Sequence, residues 1–197
     1  MRGPAGVGLI AAVLAFVSLA IIAHGVGTPA IDRDFSSWIR DHPVPLINKL
    51  LEAALRTGPV VIAAGAAAVA FLLRGNLRSA LLMLLVIFVM NLSYALKEIV
   101  ASPRPNGTGD DWGFPAGRAG NAVFLFGALA TVLPVPRRNL RILIAGVLVL
   151  LVGWARVASG AQWASDVIGA WLWSVPALAA SVAAVRHLFP ENGAVRR

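Results

Sequence analysis

The chain has 197 residues, 58% of them hydrophobic and only 13% charged, and its 17 Lys and Arg against 9 Asp and Glu give a formal net charge of +8. A soluble domain carries roughly 25% charged and 45–50% apolar residues, so the apolar excess points to a chain solvated by lipid rather than to one buried core. The lack of cysteine excludes disulfides and thiolate metal sites. Three histidines leave little room for zinc, and basic residues confined to short stretches between apolar runs orient membrane helices rather than bind nucleic acid.

Six apolar runs follow in order, each near the length of about 20 residues that a membrane-spanning helix needs. Residues 5–23 carry no charge. This run follows Arg2 in the manner of a signal peptide, but it is long enough to cross and five more runs follow, so it reads as a span. Residues 24–56 form an outer segment in which Phe35, Trp38, Ile39, Leu46, Ile47, Leu50 and Leu51 recur at roughly helical spacing among charges. They predict one or two amphipathic helices at the interface, broken at Pro43 and Pro45. Residues 57–73 and 79–96 are the second and third runs. Residues 97–118 are a polar outer segment, and 119–136 the fourth run. The fifth, 142–155, is short and must extend past Arg141 or Arg156 to span. The sixth is 167–185, reached through a short outer turn over 156–166.

Arg2, Arg74, Arg78, Arg137, Arg138, Arg141, Arg186, Arg196 and Arg197 fall on one side if the runs alternate. An excess of Lys and Arg marks the cytoplasmic side. Every carboxylate except Glu191 then lies in the outer segments. The expected architecture is an all-α integral membrane protein: one domain over 1–197, six transmembrane helices, an outer amphipathic segment after the first, and both termini cytoplasmic. The chain shows no internal repeat and no soluble domain.

Three polar clusters occupy the outer segments. Lys97 and Arg104 are seven apart, with Pro103 and Pro105 favouring an extended end around Arg104. Pro115, Ala116, Gly117 and Arg118 lead into the fourth run, where free helix N–H groups offer an anion site. Arg156 closes the fifth run, and Gln162, Trp163, Ser165 and Asp166 precede the sixth. Taken singly, each cation has an ordinary reading as a headgroup-snorkelling side chain. Asp166 reads equally as a helix cap, and Trp112 and Trp163 as interfacial aromatics. Convergence of Lys97, Arg104, Arg118 and Arg156 on the outer face, where orientation signals do not belong, favours anion binding.

These clusters resemble the signature motifs of the type 2 phosphatidic acid phosphatase superfamily of integral membrane lipid phosphatases. Lys97, Arg104 and Pro105 match its first motif, a lysine followed after six residues by Arg-Pro. Residues 115–118 stand where its second motif reads Pro-Ser-Gly-His. Arg156 and Asp166 match its third, in which Ala155 replaces a serine and Gln162 a histidine. The resemblance implies that Lys97, Arg104 and Arg156 grip phosphate and that the Gly117 backbone helps hold it. It further implies that Asp166 orients the nucleophile, that positions 162 and 118 carry the nucleophilic and acid histidines, and that no metal or other cofactor is needed. Implied ligands are lipid phosphates and pyrophosphates, such as phosphatidic acid, phosphatidylglycerol phosphate and polyprenyl pyrophosphate.

The departures are chemically severe. The amide nitrogen of Gln162 has no available lone pair, so it cannot form a phosphoenzyme, though it still donates hydrogen bonds. Arg118 stays protonated at neutral pH and cannot serve as general acid, but it can bind phosphate through two parallel hydrogen bonds. His24 or His42 could reach the mouth as a substitute; His187 is on the wrong side. Asp110 and Asp111 could supply a nucleophile or pair with Arg118. The expectation is a lipid phosphatase-like pseudoenzyme in the plasma (inner) membrane. It binds a lipid phosphate or pyrophosphate head at the outer face through Lys97, Arg104, Gly117, Arg118, Arg156 and Gln162, beside Asp166. The alternatives are an active phosphatase with a substitute nucleophile and a structural scaffold in a membrane assembly. The sequence names no protein partner.

Overall fold

The apolar runs become helices that extend as far as local chemistry permits. A computed structural model of the chain describes residues 4–25, 29–42, 45, 56–105 and 112–190. Among these there are seven helices and no strand: α1 Pro4–Gly25, α2 Ala30–Arg40, α3 Thr57–Leu73, α4 Leu77–Val100, α5 Gly117–Val132, α6 Arg138–Ala158 and α7 Ala164–Leu188. The expectations for Arg2, Pro43, Leu46, Ile47, Leu50, Leu51, Asp110, Asp111, Glu191, Arg196 and Arg197 fall outside the described residues.

The helix α3 coincides with the second apolar run. Beyond its run, α4 gains Leu77 and Arg78 at its start and the turn over 97–100 at its end. Its start is fixed by Asn76, whose side chain accepts the N–H of Ser79 at 3.1 Å. By contrast α5 stops at Val132, four residues short of its run, because Pro134 and Pro136 bar further helix and Leu133 turns extended. The short fifth run extends in both directions, taking in Arg138, Arg141 and Arg156 to give the 21 residues of α6. The helices α4, α6 and α7 are each long and apolar enough to cross a membrane alone. The Ile10–Gly25 part of α1 meets the same test together with α2, the pair being bent by 94°, and α3 is a shorter apolar helix.

At the centre is α5, in contact with α3, α4, α6 and α7. Small residues permit this, since close backbone approach drives helix association where lipid already solvates apolar side chains. A Cβ on Gly120 would stand 2.8 Å from the Ser174 hydroxyl of α7, and one on Gly127 would collide with Leu178. Around α5 the buried core runs through Val60 and Ala64 of α3, Met83, Val86 and Met90 of α4, Phe124 and Ala128 of α5, and Val152 of α6. A hydrogen bond of 3.0 Å from the Trp173 indole to the Ser93 hydroxyl ties α7 to α4.

The orientation of α2 departs from the expected apolar face. Its buried residues are Asp32, Ser36 and Ile39, while Phe35 and Trp38 are each 51% exposed. The inward stripe is polar because it covers the start of α7, whose free N–H groups require acceptors.

At the pole where α4 begins and α5 and α7 end, Arg78 and Arg186 line one cleft with Asn76, Thr131 and Val185. Arg141, from the first turn of α6, donates to the Leu133 carbonyl there.

Candidate phosphate-binding site

The opposite pole, where α4 and α6 end and α5 begins, holds a cavity of about 160 Å³. It is lined by Arg56, Thr57, Tyr94, Lys97, Arg104, Gly117, Arg118, Arg156 and Gln162. All six residues expected to hold phosphate are among them. Among the described residues no carboxylate lines the cavity, and none of the three histidines does. Pockets for drug-sized ligands run to roughly 300–1,000 Å³. This one has room for a small anionic head and none for a lipid tail.

Local structure explains each placement. Lys97 sits in the last turn of α4, only 5% exposed, and donates to the Trp112 carbonyl at 3.0 Å. Past Val100 the chain leaves the helix through Ala101, which takes the left-handed conformation at φ 49°. That conformation costs a residue with a Cβ roughly 1–2 kcal/mol, and it swings Ser102, Pro103 and Arg104 off the helix axis. Lys97 and Arg104 therefore meet through a turned, non-helical segment, in keeping with the prolines around Arg104.

The segment entering α5 is clamped from three sides. Gly113 donates to the Ser102 carbonyl at 2.7 Å, and Ala116 to the Asp166 carbonyl at 3.0 Å. Phe114 is fully buried, stacked on Phe16 of α1 at 5.5 Å and pressed against Gly169 of α7. This clamp fixes Gly117 and Arg118 at the head of α5. A Cβ on Gly117 would lie 3.5 Å from the Lys97 side chain, an ordinary contact, so the lysine stem runs close along this backbone without requiring glycine. The first intrahelical bond runs from Gly120 to the Ala116 carbonyl. The amides of residues 117–119 precede it, and free N–H groups at a helix start attract anions.

Arg156, 5% exposed, lies in the last turn of α6, and Ser159 caps that turn by donating to the Arg156 carbonyl at 3.2 Å. Gly160, at φ 69°, reverses the chain into Gln162, which is 2% exposed. The N-cap of α7 is Trp163 rather than Ser165 or Asp166. Asp166 is the third helical residue, and its Oδ2 accepts the Trp163 N–H at 2.9 Å. The polar chemistry was expected in loops. Lys97, Arg118, Arg156 and Asp166 instead belong to helix ends, because at this pole the helices run two to four residues beyond their apolar runs.

Asp166 is 1% exposed and does not line the cavity. Its Oδ1 and the Oε1 of Gln162 are buried acceptors without a hydrogen-bond partner among the described residues. The His24 ring nitrogen pairs with the Val100 carbonyl at 2.8 Å, and that of His42 with the Trp38 carbonyl at 2.8 Å. Trp163 is half-buried with the Arg40 guanidinium over its ring, and Trp112 lends its carbonyl to Lys97.

Three lining residues escaped the sequence reading: Arg56, Thr57 and Tyr94. Tyr94 offered a signal, standing one helical turn before Lys97 and so on the same face. Arg56 offered only its place just before an apolar run, which is also where a snorkelling arginine belongs.

A solved structure of similar shape is described as that of "the first transmembrane PAP2 type phosphatidylglycerolphosphate phosphatase from Bacillus subtilis". It superposes with a TM-score of 0.71 over 95% of this chain and 98% of its own, at 24% sequence identity. None of the curated proteins matches the chain in sequence. The model of the PAP2 superfamily matches residues 75–189, a stretch that contains Lys97, Arg104, Gly117, Arg118, Arg156, Gln162 and Asp166. On that match, spanning more than half its length, the chain belongs to the PAP2 superfamily of membrane lipid phosphatases and their relatives.

Proposed function

We propose that this protein binds the phosphate or pyrophosphate head of a membrane lipid, of the phosphatidic acid or polyprenyl type, and does not hydrolyse it. The observation that carries the proposal is the lining of one small cavity. It gathers four motif cations, Lys97, Arg104, Arg118 and Arg156, with Gly117 and Gln162, and includes no imidazole. Each cation adds a charge-assisted donor for phosphate oxygens. Turnover in this fold family needs a nucleophile and an acid, and the positions matching them by motif hold Gln162 and Arg118. Neither side chain does that work near neutral pH. Such a protein would sequester, present or move its lipid, or support a partner enzyme.

The membrane arrangement proposed with it has six spans, α1 and α3 to α7, with α2 at the outer interface. Support comes from the apolar length of α4, α6 and α7 and from the central packing of the shorter α5. Arg78, Arg141 and Arg186 gather at the pole away from the cavity. The positive-inside rule makes that pole cytoplasmic. The site then faces outward from the plasma membrane, with both termini inside and the whole chain forming one membrane domain.

A second reading, hydrolysis by a substitute group, draws on one observation: the buried Oδ1 of Asp166, unpartnered among the described residues. A water held there would be the nucleophile. Binding and phosphate release, measured on the same purified protein with phosphatidic acid and polyprenyl pyrophosphate, separate the two. Binding lost in Arg104→Ala, with no release by the parent, is the expected outcome; an Arg104→Ala variant that binds as well as the parent would end the proposal.

A further inference from the structure

Exposure is graded across the cavity. Lys97, Arg156 and Gln162 are buried at its floor; Arg104, Gly117, Arg118 and Thr57 are half-buried; Arg56 and Tyr94 are exposed. The more open side is therefore built by α3 and α4. Arg56 is the N-cap of α3, and the Thr57 hydroxyl beside it hydrogen-bonds the Tyr94 hydroxyl of α4. None of these three belongs to a motif that places the floor cations.

A lipid phosphate held at the floor must pass its next atoms through this mouth, since the cavity is too small for the tail. In a lipid monophosphate those atoms are an ester oxygen and carbon. In a lipid diphosphate they are a second phosphate. A mouth carrying a guanidinium and two hydroxyls suits the second phosphate, whereas an isoprenoid monophosphate brings only hydrocarbon there.

We infer that Arg56, Thr57 and Tyr94 form a second anion subsite at the mouth of the cavity, which selects lipids bearing two linked phosphates over lipids bearing one. The inference rests on the reading of the cavity as a lipid phosphate site. The terminal phosphate occupies the floor by Lys97 and Arg156. The tail-linked phosphate sits against Arg56, and the Tyr94–Thr57 hydroxyl pair donates to it.

The test is equilibrium binding to the full-length protein in nanodiscs, using a lipid diphosphate and a lipid monophosphate with the same isoprenoid tail, and inorganic diphosphate as the soluble probe. The parent is expected to prefer the lipid diphosphate. Arg56→Ala should weaken that ligand about tenfold and the lipid monophosphate distinctly less, and the monophosphate binding that remains shows that the variant is folded. Tyr94→Phe should reduce the preference in the same direction, and Arg56→Lys should keep most of it. Equal loss of both lipids in Arg56→Ala, or no loss of either, overturns the subsite while leaving the floor reading intact. If neither lipid binds the parent, both readings fall. Inorganic diphosphate binding as tightly as the lipid would overturn the lipid assignment.

Discussion

Asp32 of α2 accepts the backbone N–H of Ser165 at 3.2 Å and its hydroxyl as well, so a helix lying outside the bundle caps the helix that carries Asp166. Ser36, one turn on, accepts the Ala164 N–H at 3.1 Å and donates to Asp32 at 3.2 Å. A carboxylate at a helix start satisfies orphan donors and complements the helix dipole. Arg40, at the far end of α2, packs over Gly160 and Trp163 in the turn that presents Gln162. The outer helix thus holds one wall of the site.

Asp32→Ala should accordingly reduce stability by about 1–3 kcal/mol, the cost of leaving buried donors unsatisfied. It should also weaken phosphate binding, since the turn over 160–166 loses its anchor. Thermal unfolding in detergent, with binding measured below the transition, checks both.

Gly113 should tolerate no side chain. A Cβ there would stand 2.9 Å from Oδ2 of Asp166 and 3.4 Å from the Pro103 carbonyl. Gly113→Ala is expected to displace Asp166 or the Arg104 segment, at the roughly 1–3 kcal/mol typical of overpacking, and to lower ligand affinity. The comparison is isothermal binding of parent and variant at equal folded fraction.

Gly153 separates packing from site chemistry. A Cβ on it would collide with the Trp171 ring and approach Val167 within 2.8 Å, where a rigid indole cannot yield. Gly153→Ala should lose about 1–3 kcal/mol of stability and leave the affinity of the folded fraction intact. A binding defect without a stability defect would contradict this packing.

Arg104→Ala should weaken lipid phosphate binding about 10- to 100-fold, the equivalent of one charge-assisted hydrogen-bonded pair. Raising ionic strength should weaken the parent more than this variant, because the variant has one charge fewer to screen. Titrations at two salt concentrations give both numbers.

Much of the fold was legible because lipid imposes a simple rule. Uninterrupted apolar length forecasts every described helix except α2, which amphipathic spacing forecasts instead, and the second run coincides with α3. The ends were not legible. A polar residue past an apolar run continues the helix when its side chain finds a partner, as Lys97 does at the Trp112 carbonyl. It stops when proline intervenes, as after Val132. The motif spacing brought six expected residues to one cavity. It did not reveal Arg56, Thr57 and Tyr94, which owe their place to the contact of α3 with α4. Nor did the apolar pattern of α2 disclose that Asp32 faces inward, because that depends on the unsatisfied amides of a helix 133 residues away.

The most direct test is phosphate release from polyprenyl pyrophosphate and phosphatidic acid by the purified protein, its Lys97→Ala variant, and the double variant Arg118→His with Gln162→His. The account predicts no release by the parent and a gain of release in the double variant, because the phosphate-gripping floor is already in place. Release by the parent that Lys97→Ala abolishes would contradict it and would show that another group has taken over the nucleophile's role.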